Sequence, residues 1–254
     1  MLAAERRRVI TARIQAAGQV VVSALSAEFQ VSEETIRRDL ERLEKDGIVN
    51  RIYGGAVLVG NDHTAPPYSV RKNTSIEPKI VIAQQLATLV NDGDTLMVDE
   101  SSTAAYAVRA LAQKRNITVI TNSLELLREL NDRESWRVIS SGGRLKGDVL
   151  AQVGPHALRT VTSYHARYAI FSCRGINEQL GLADSDDAVV QIKQAMIRSS
   201  DHAVLLADHR KFDRPGFVAL GDLSLVDTMI TDRRPSPQWE AQLAEKGVRL
   251  ICGE

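Results

Sequence analysis

The chain predicts an α/β protein in two parts, a small helical module that ends in a β-hairpin and a larger domain built on a mostly parallel sheet. Three observations predict it. Residues 31–55 read as a capped amphipathic helix followed by a glycine hairpin. Residues 60–78 hold Pro66, Pro67 and Pro78 among polar side chains. From residue 79 onward, helical periodicity alternates with short apolar runs, which is the pattern of strands covered by helices on both faces.

The first module opens with a helix over residues 5–17, where Val9, Ile10 and Ile14 share a face and Gly18 marks the stop. A second short helix over 22–29 turns Leu25 and Phe29 inward. The third begins at Ser32, whose hydroxyl suits the free amides of the first turn, with Val31 and Ile36 placed as a hydrophobic staple. Ile36, Leu40 and Leu43 form its apolar stripe, and Ser32, Thr35, Arg37, Arg38 and Arg42 lie off it. Gly47 is the expected left-handed terminator, and strands over 48–52 and 56–59 flank the turn at Tyr53, Gly54 and Gly55.

Three helices and a hairpin in this order make a winged helix-turn-helix, whose second motif helix enters the major groove with its N-terminal residues at the base edges. Ser32, Glu33, Thr35, Arg37 and Arg38 become the expected base and backbone readers, with Arg42 on the same face and Arg51 on the wing against a phosphate. Arginine suits this work because its planar fork bonds guanine O6 and N7 together. The expected partner is double-stranded operator DNA.

Charge neither requires nor forbids that partner. The 254 residues carry 32 basic and 32 acidic side chains. Within residues 1–55, nine basic against eight acidic side chains leave +1. Affinity must therefore come from placement, and a homo-oligomer, dimer or tetramer, reading two half-sites would supply enough phosphate contacts. A hydrophobic content of 44% suits one small module and one core-forming domain. No apolar run approaches the ~20 residues of a membrane span and no signal core precedes the first helix, so no membrane partner and a cytoplasmic location are expected. Cys173 and Cys252 form no C-x-x-C pair and are expected to stay reduced.

The expected organisation is a DNA-binding module over 1–59, a linker over 60–78 in which Pro-Pro excludes regular helix, and a domain over 79–254. In that domain strands are expected at 95–98, 117–121, 136–140, 168–173, 203–207, 228–231 and 249–252. Helices are expected at 80–90, 104–113, 123–130, 155–161, 187–199 and 237–246.

Ligands of open α/β sheets bind beyond the carboxyl ends of the strands. There the chain places Asp99 to Thr103, Thr121 to Ser123, Ser141 to Gly143, Cys173 to Gly175, and Asp208 with Lys211. Hydroxyls at Ser101, Ser102 and Thr103 beside a helix start, and glycines at 142 and 143 that let amides approach an anion, are phosphate-binding chemistry.

The run Thr35-Ile36-Arg37-Arg38-Asp39-Leu40, then Leu43-Glu44 and Arg51 with Gly54-Gly55, resembles the DeoR-type family of bacterial sugar-operon transcriptional regulators, and the resemblance extends over nearly the whole chain. It implies a sugar-phosphate-isomerase-like C-terminal domain that senses a phosphorylated sugar and forms the oligomer. Its matching effector positions are Asp99, Ser101, Ser102, Thr103, Asn122, Ser123, Gly142, Gly143, Gly175, Lys193, Asp208 and Lys211. One departure stands out. Many members carry an acidic pair just before the lysine, where this chain has Ala188, Val189, Val190 and Gln191, with acids only at Asp184, Asp186 and Asp187. That weakens an isomerase activity, which needs a placed carboxylate, and points toward a less common effector such as a deoxy sugar phosphate.

No metal is expected, because His63, His156, His165, His202 and His209 lack ligand spacing. No cofactor is expected either, since G-x-S-x-G, Walker and G-x-G-x-x-G patterns are absent. Two readings follow: a ligand-controlled regulator that is not an enzyme, most simply a repressor, or a sugar-phosphate isomerase-like enzyme with an appended DNA-binding module.

Overall fold

The structure is a computed structural model that describes residues 2–17, 19–46, 48–52, 54–58 and 65–253. The expected terminators Gly18 and Gly47, the turn residue Tyr53, the strand end Val59 and linker positions 60–64 with His63 lie outside the described residues. The chain divides into two compact units, Met1–Thr74 and Ser75–Glu254.

The first unit runs α1 (Ala3–Ala17), β1 (Gln19–Val21), α2 (Val22–Phe29), α3 (Glu33–Lys45), β2 (Val49–Ile52), β3 (Gly55–Leu58) and α4 (Tyr68–Lys72). β2 and β3 form the hairpin, and β1 adds an antiparallel strand to β3. Three residues carry too little alternation to announce β1 in the sequence. Gly55 has a packing reason to be glycine: a Cβ there would fall 2.1 Å from the Val20 carbonyl oxygen.

Ile10 and Ile14 of α1, Leu25 of α2, Ile36, Leu40 and Leu43 of α3, and Val49 and Ala56 of the hairpin bury together as one core. Asp39 lies in the same buried stripe of α3. Arg6 reaches it from α1, Nε to Oδ2 at 2.5 Å, and Arg7 Nη1 lies 3.3 Å from Oδ1. The side chains of Arg6 and Asp39 are 8% and 4% exposed. Two of the N-terminal arginines thus clamp helix to helix.

Pro66 and Pro67 do not exclude helix as the sequence predicts. α4 starts directly after Pro67, its N-cap. α5 (Ile76–Leu89) starts four residues before the expected helix, with Pro78 in its first turn. A missing N–H is tolerated at both places, because first-turn amides have no partner within their helix.

The second unit continues with β4 (Thr95–Val98), α6 (Ser102–Ala110), β5 (Thr118–Thr121), α7 (Leu124–Leu130), β6 (Arg137–Ser140), β7 (Arg144–Lys146), β8 (Ala151–Val153), α8 (Pro155–Thr162) and β9 (Ala166–Phe171). It ends with β10 (Gly175–Asn177), β11 (Gly181–Asp184), α9 (Asp187–Arg198), β12 (Ser200–Leu206), β13 (Val218–Gly221), β14 (Thr228–Thr231), α10 (Pro237–Glu245) and β15 (Arg249–Cys252). The seven strands expected from apolar runs form one sheet in the order β15-β14-β12-β9-β4-β5-β6, and every pairing in it is parallel. The two-stranded sheet β7-β8 and the three-stranded sheet β10-β11-β13 have no such sequence signal.

Alternation along β12 explains the layering. Val204 and Leu206 join the core that holds α5 and α6, whereas Ala203 and Leu205 join the core that holds α10 and β11. The direction of winding reverses between β4 and β9, because β5 and β6 lie to one side of β4 and β12, β14 and β15 lie beyond β9. In open α/β sheets ligands bind beyond the carboxyl ends of the strands at such a reversal, here the ends of β4 and β9.

Asp39→Asn removes the counter-charge of a buried guanidinium and is expected to destabilise the first unit by about 3–5 kcal/mol. Urea denaturation of the full chain measures it, and a loss below about 1 kcal/mol would show that the pair is not structural.

Candidate nucleic-acid interface and ligand site

α3 begins as the sequence predicts. Ser32 Oγ accepts from the Thr35 amide at 3.3 Å and lies 2.9 Å from Thr35 Oγ1, while Val31 packs with Ile36 on the core. With Ile36, Asp39, Leu40 and Leu43 buried, Ser32, Glu33, Arg37, Arg38 and Arg42 are exposed and Thr35 is half-buried.

Each outward arginine has an acidic neighbour on its own helix face: Arg37 Nη2 to Glu33 Oε2 at 2.6 Å, Arg38 Nε to Glu34 Oε1 at 3.4 Å, Arg42 Nε to Asp46 Oδ1 at 3.6 Å. Exposed pairs of this kind are worth ~0–1 kcal/mol, so they hold these arginines only loosely. Arg51 on β2 is held more firmly. Its backbone amide donates to Glu44 Oε1 at 2.8 Å and its Nε to Glu44 Oε2 at 2.7 Å. These hydrogen bonds from Arg51 hold the Glu44 carboxyl below its ordinary pKa. The contact joins the hairpin to α3.

In the second unit the carboxyl ends of β4 and β9 meet at Asp99, which has no solvent exposure. Its Oδ1 accepts from the Ser101 amide and its Oδ2 from the Ser172 amide, both at 3.0 Å, so one carboxylate ties the ends of both strands. Lys193 of α9 reaches the same point, with Nζ 2.7 Å from Asp184 Oδ2, 3.2 Å from Asp99 Oδ2, 3.4 Å from Glu100 Oε1 and 2.8 Å from the Ser172 carbonyl oxygen.

Burial alone would discharge this lysine, but Asp184, Glu100 and Asp99 outweigh it and raise its pKa well above the ordinary value. Burial likewise opposes ionisation of Asp184, yet Lys193 and the Ser185 amide bring that carboxyl below its usual range. Lys193 thus takes its counter-charges from β11 and the end of β4. Lys193 held protonated is no general base, and an ionised Asp184 is no general acid.

The remaining expected ligand residues occupy the same edge with differing freedom. The hydroxyls of Ser101 and Ser123 cap α6 and α7. Ser102 and Thr103 are buried in the first turn of α6. Asn122 is fully buried, and its Oδ1 has no hydrogen-bond partner. Gly142 and Gly143 adopt φ of 62° and 103°. Lys211 donates to the Cys173 carbonyl at 2.6 Å, and desolvation lowers its pKa. Asp208 accepts from the backbone amide and Nε of Arg210, both at 3.1 Å. Gly175 has a packing role, since a Cβ there would meet the Arg214 carbonyl oxygen at 2.2 Å.

Sequence reasoning did not single out Glu100, Ser172 or Gln152 as site residues. Lys193 carried the signal for its partners: it shares a helix stripe with the buried Val189 and Met196, where an ammonium needs a counter-charge. Gln152 carried none.

Lys193 and Asp184 fix a pH dependence. Asp184, depressed below 3.8, contributes stability above that pH and loses it as pH falls further; Lys193, raised above 10.5, contributes below that pH and loses it as pH rises further. Their joint contribution is constant between. Lys193→Met leaves buried carboxylates facing one another, which then favour protons in the folded state. The variant is expected to lose about 3–5 kcal/mol in urea at neutral pH and to regain stability as the pH is lowered. A pH-independent deficit would contradict the electrostatic origin.

Residues 6–61 match the DeoR-like helix-turn-helix domain, and residues 74–233 match the DeoR C terminal sensor domain. The chain is 37% identical to an uncharacterized HTH-type transcriptional regulator of Bacillus subtilis (strain 168), YulB, over 99% of this chain and 97% of that one. It is 32% identical to the glycerol-3-phosphate regulon repressor of Escherichia coli (strain K12) over 98% of each chain. It is 34% identical to the L-fucose operon activator of the same strain, over 85% of this chain and 89% of that one. With both domains matched in order, an outward cationic face on a capped helix and a buried polar cluster at the switch point of the sensor-domain sheet, the chain belongs to the DeoR family of DNA-binding transcriptional regulators.

Proposed function

We propose that this protein represses a carbohydrate-utilisation operon and that a phosphorylated sugar, bound at the carboxyl ends of β4, β5, β6 and β9, relieves the repression. The observation that carries the DNA half is the exposure of Arg37, Arg38 and Arg42 on a helix whose opposite face is core. Ser32, Glu33 and Thr35 complete the reading face, and Arg51, aimed by Glu44, takes a phosphate. In this reading residues 1–59 read DNA, 79–254 sense the effector and assemble the oligomer, and the 60–78 connection carries α4 and the start of α5.

The effector half is supported by hydroxyls, glycine amides and Lys211 along one sheet edge, next to the buried carboxylate cluster. The glycerol-3-phosphate regulon repressor covers nearly the whole chain, which favours repression and a phosphorylated polyol or sugar as the chemical class. A dimer or tetramer is required because one module with so little net charge makes too few phosphate contacts.

The isomerase alternative is disfavoured by the commitment of Asp99, Asp184 and Lys193 to one another. Incubation with aldose and ketose phosphates is expected to raise the thermal midpoint without interconversion; turnover would establish an enzyme. On an operator fragment, Arg37→Ala and Arg38→Ala are expected to lose about 1–3 kcal/mol each and to relax preference at one base pair. Arg51→Ala is expected to weaken all sequences alike and to lower the salt slope by about one. Unchanged affinity in all three would refute the placement of α3 on DNA.

A further inference from the structure

At the carboxyl end of β6 one oxygen atom sits where several hydrogen-bond donors meet. Gln152, the middle residue of β8, directs its side-chain Oε1 at Ser140 Oγ (2.7 Å), Ser141 Oγ (3.2 Å) and the Gly142 amide (3.2 Å). An amide carbonyl has two lone pairs and only a partial charge, so three donors exceed what it can satisfy. The surplus shows in the geometry: the Gly142 amide is shared with Ser140 Oγ, and the Ser141 hydroxyl with the Gly142 carbonyl, each at 3.2 Å. An anionic oxygen would accept from such a corner more strongly.

The frame around it is closely fitted. A Cβ at Gly143 would lie 2.7 Å from the Val153 carbonyl oxygen and 3.0 Å from the Ala157 Cβ, so the end of β6 presses on β8 and the start of α8. Ala151 and Val153 are buried, and alternation along β8 puts Gln152 on the other face. Asn122, following the strand beside β6, clasps the same residue: its carbonyl accepts from the Gln152 amide at 2.8 Å, and its Nδ2 donates to the Gln152 carbonyl at 3.4 Å. Asn122 itself is fully buried, and its Oδ1 has no hydrogen-bond partner.

We infer that Ser140, Ser141 and Gly142 receive the phosphoryl group of the effector, and that Gln152 occupies their corner as a surrogate acceptor which the phosphoryl oxygen must displace. The inference rests on the phosphorylated-sugar reading and adds to it a residue that sets the affinity threshold. A neutral carbonyl in the corner lowers the fraction of molecules competent to bind, and the apparent dissociation constant rises by the inverse of that fraction.

Calorimetric titration of the full-length protein with inorganic phosphate tests this on wild type, Gln152→Ala, Gln152→Glu and the double variant Gln152→Ala with Ser141→Ala. Gln152→Ala is expected to bind phosphate about fivefold or more tightly than wild type, because the competitor is gone. Gln152→Glu, which puts a negative charge in the corner, is expected to bind about tenfold or more weakly. Adding Ser141→Ala to Gln152→Ala is expected to erase the gain, which locates it at this corner.

Equal or weaker phosphate binding by Gln152→Ala, or a gain that survives Ser141→Ala, overturns the role of Gln152 while leaving an anion site in the domain. Absence of phosphate binding in wild type and every variant overturns the anion site and the surrogate together. If Gln152→Ala does not fold, Gln152→Glu against wild type decides, since a surrogate requires that comparison to show a loss.

Discussion

A single ammonium group organises the sensor domain. Lys193 joins α9 to the ends of β4 and β9 and to β11 by contacting Asp99, Glu100, Asp184 and the Ser172 carbonyl at the point where the sheet changes its winding direction. Drawing these charges out of water costs more than packing apolar side chains of equal volume there would. Placement is what the cluster supplies. Asp99 fixes the backbone amides of Ser101 and Ser172, and α6 with its buried hydroxyls starts from that fixed point.

The same physics recurs in the DNA-reading module at smaller scale. Asp39 faces inward from α3 and is met by Arg6 and Arg7 of α1. The arginines of α3 itself, one turn around the helix, keep only exposed partners. Buried pairing thus sets the orientation of α3, while surface pairing leaves Arg37, Arg38 and Arg42 loosely held, as the proposed contact with a base edge or phosphate requires. One polar residue in an apolar stripe and three outside it take opposite roles.

Much of this was legible in the sequence, for identifiable reasons. α3 announced itself through Ser32, the Val31 and Ile36 staple and the spacing of Ile36, Leu40 and Leu43. The seven parallel strands appeared as apolar runs because strands covered on both faces need no polar alternation. β1, β7, β8 and β10 did not appear, since three residues define no period. The early start of α5 was hidden by Pro78, which is tolerated in a first turn. Asp39 stands three residues after Ile36 and four before Leu43, and that spacing places it on the buried face, although naming Arg6 as its partner needs the tertiary structure. Gln152 lay beyond reach because its role depends on the approach of a hairpin strand to the end of β6.

Regulation requires that the sensor domain and the DNA-reading module share one equilibrium, so an effector that weakens operator binding must itself be bound more weakly, by the same factor, when operator is present. The direct measurement is paired. Affinity for a DNA fragment that the protein selects from a randomised pool is determined with and without a saturating phosphorylated sugar, and affinity for that sugar with and without the fragment. Reciprocal reductions of equal size, about 5–150-fold, are predicted, with the unphosphorylated sugar inert. DNA affinity that no phosphorylated sugar alters, or that the unphosphorylated sugar alters equally, would contradict control by an anionic metabolite.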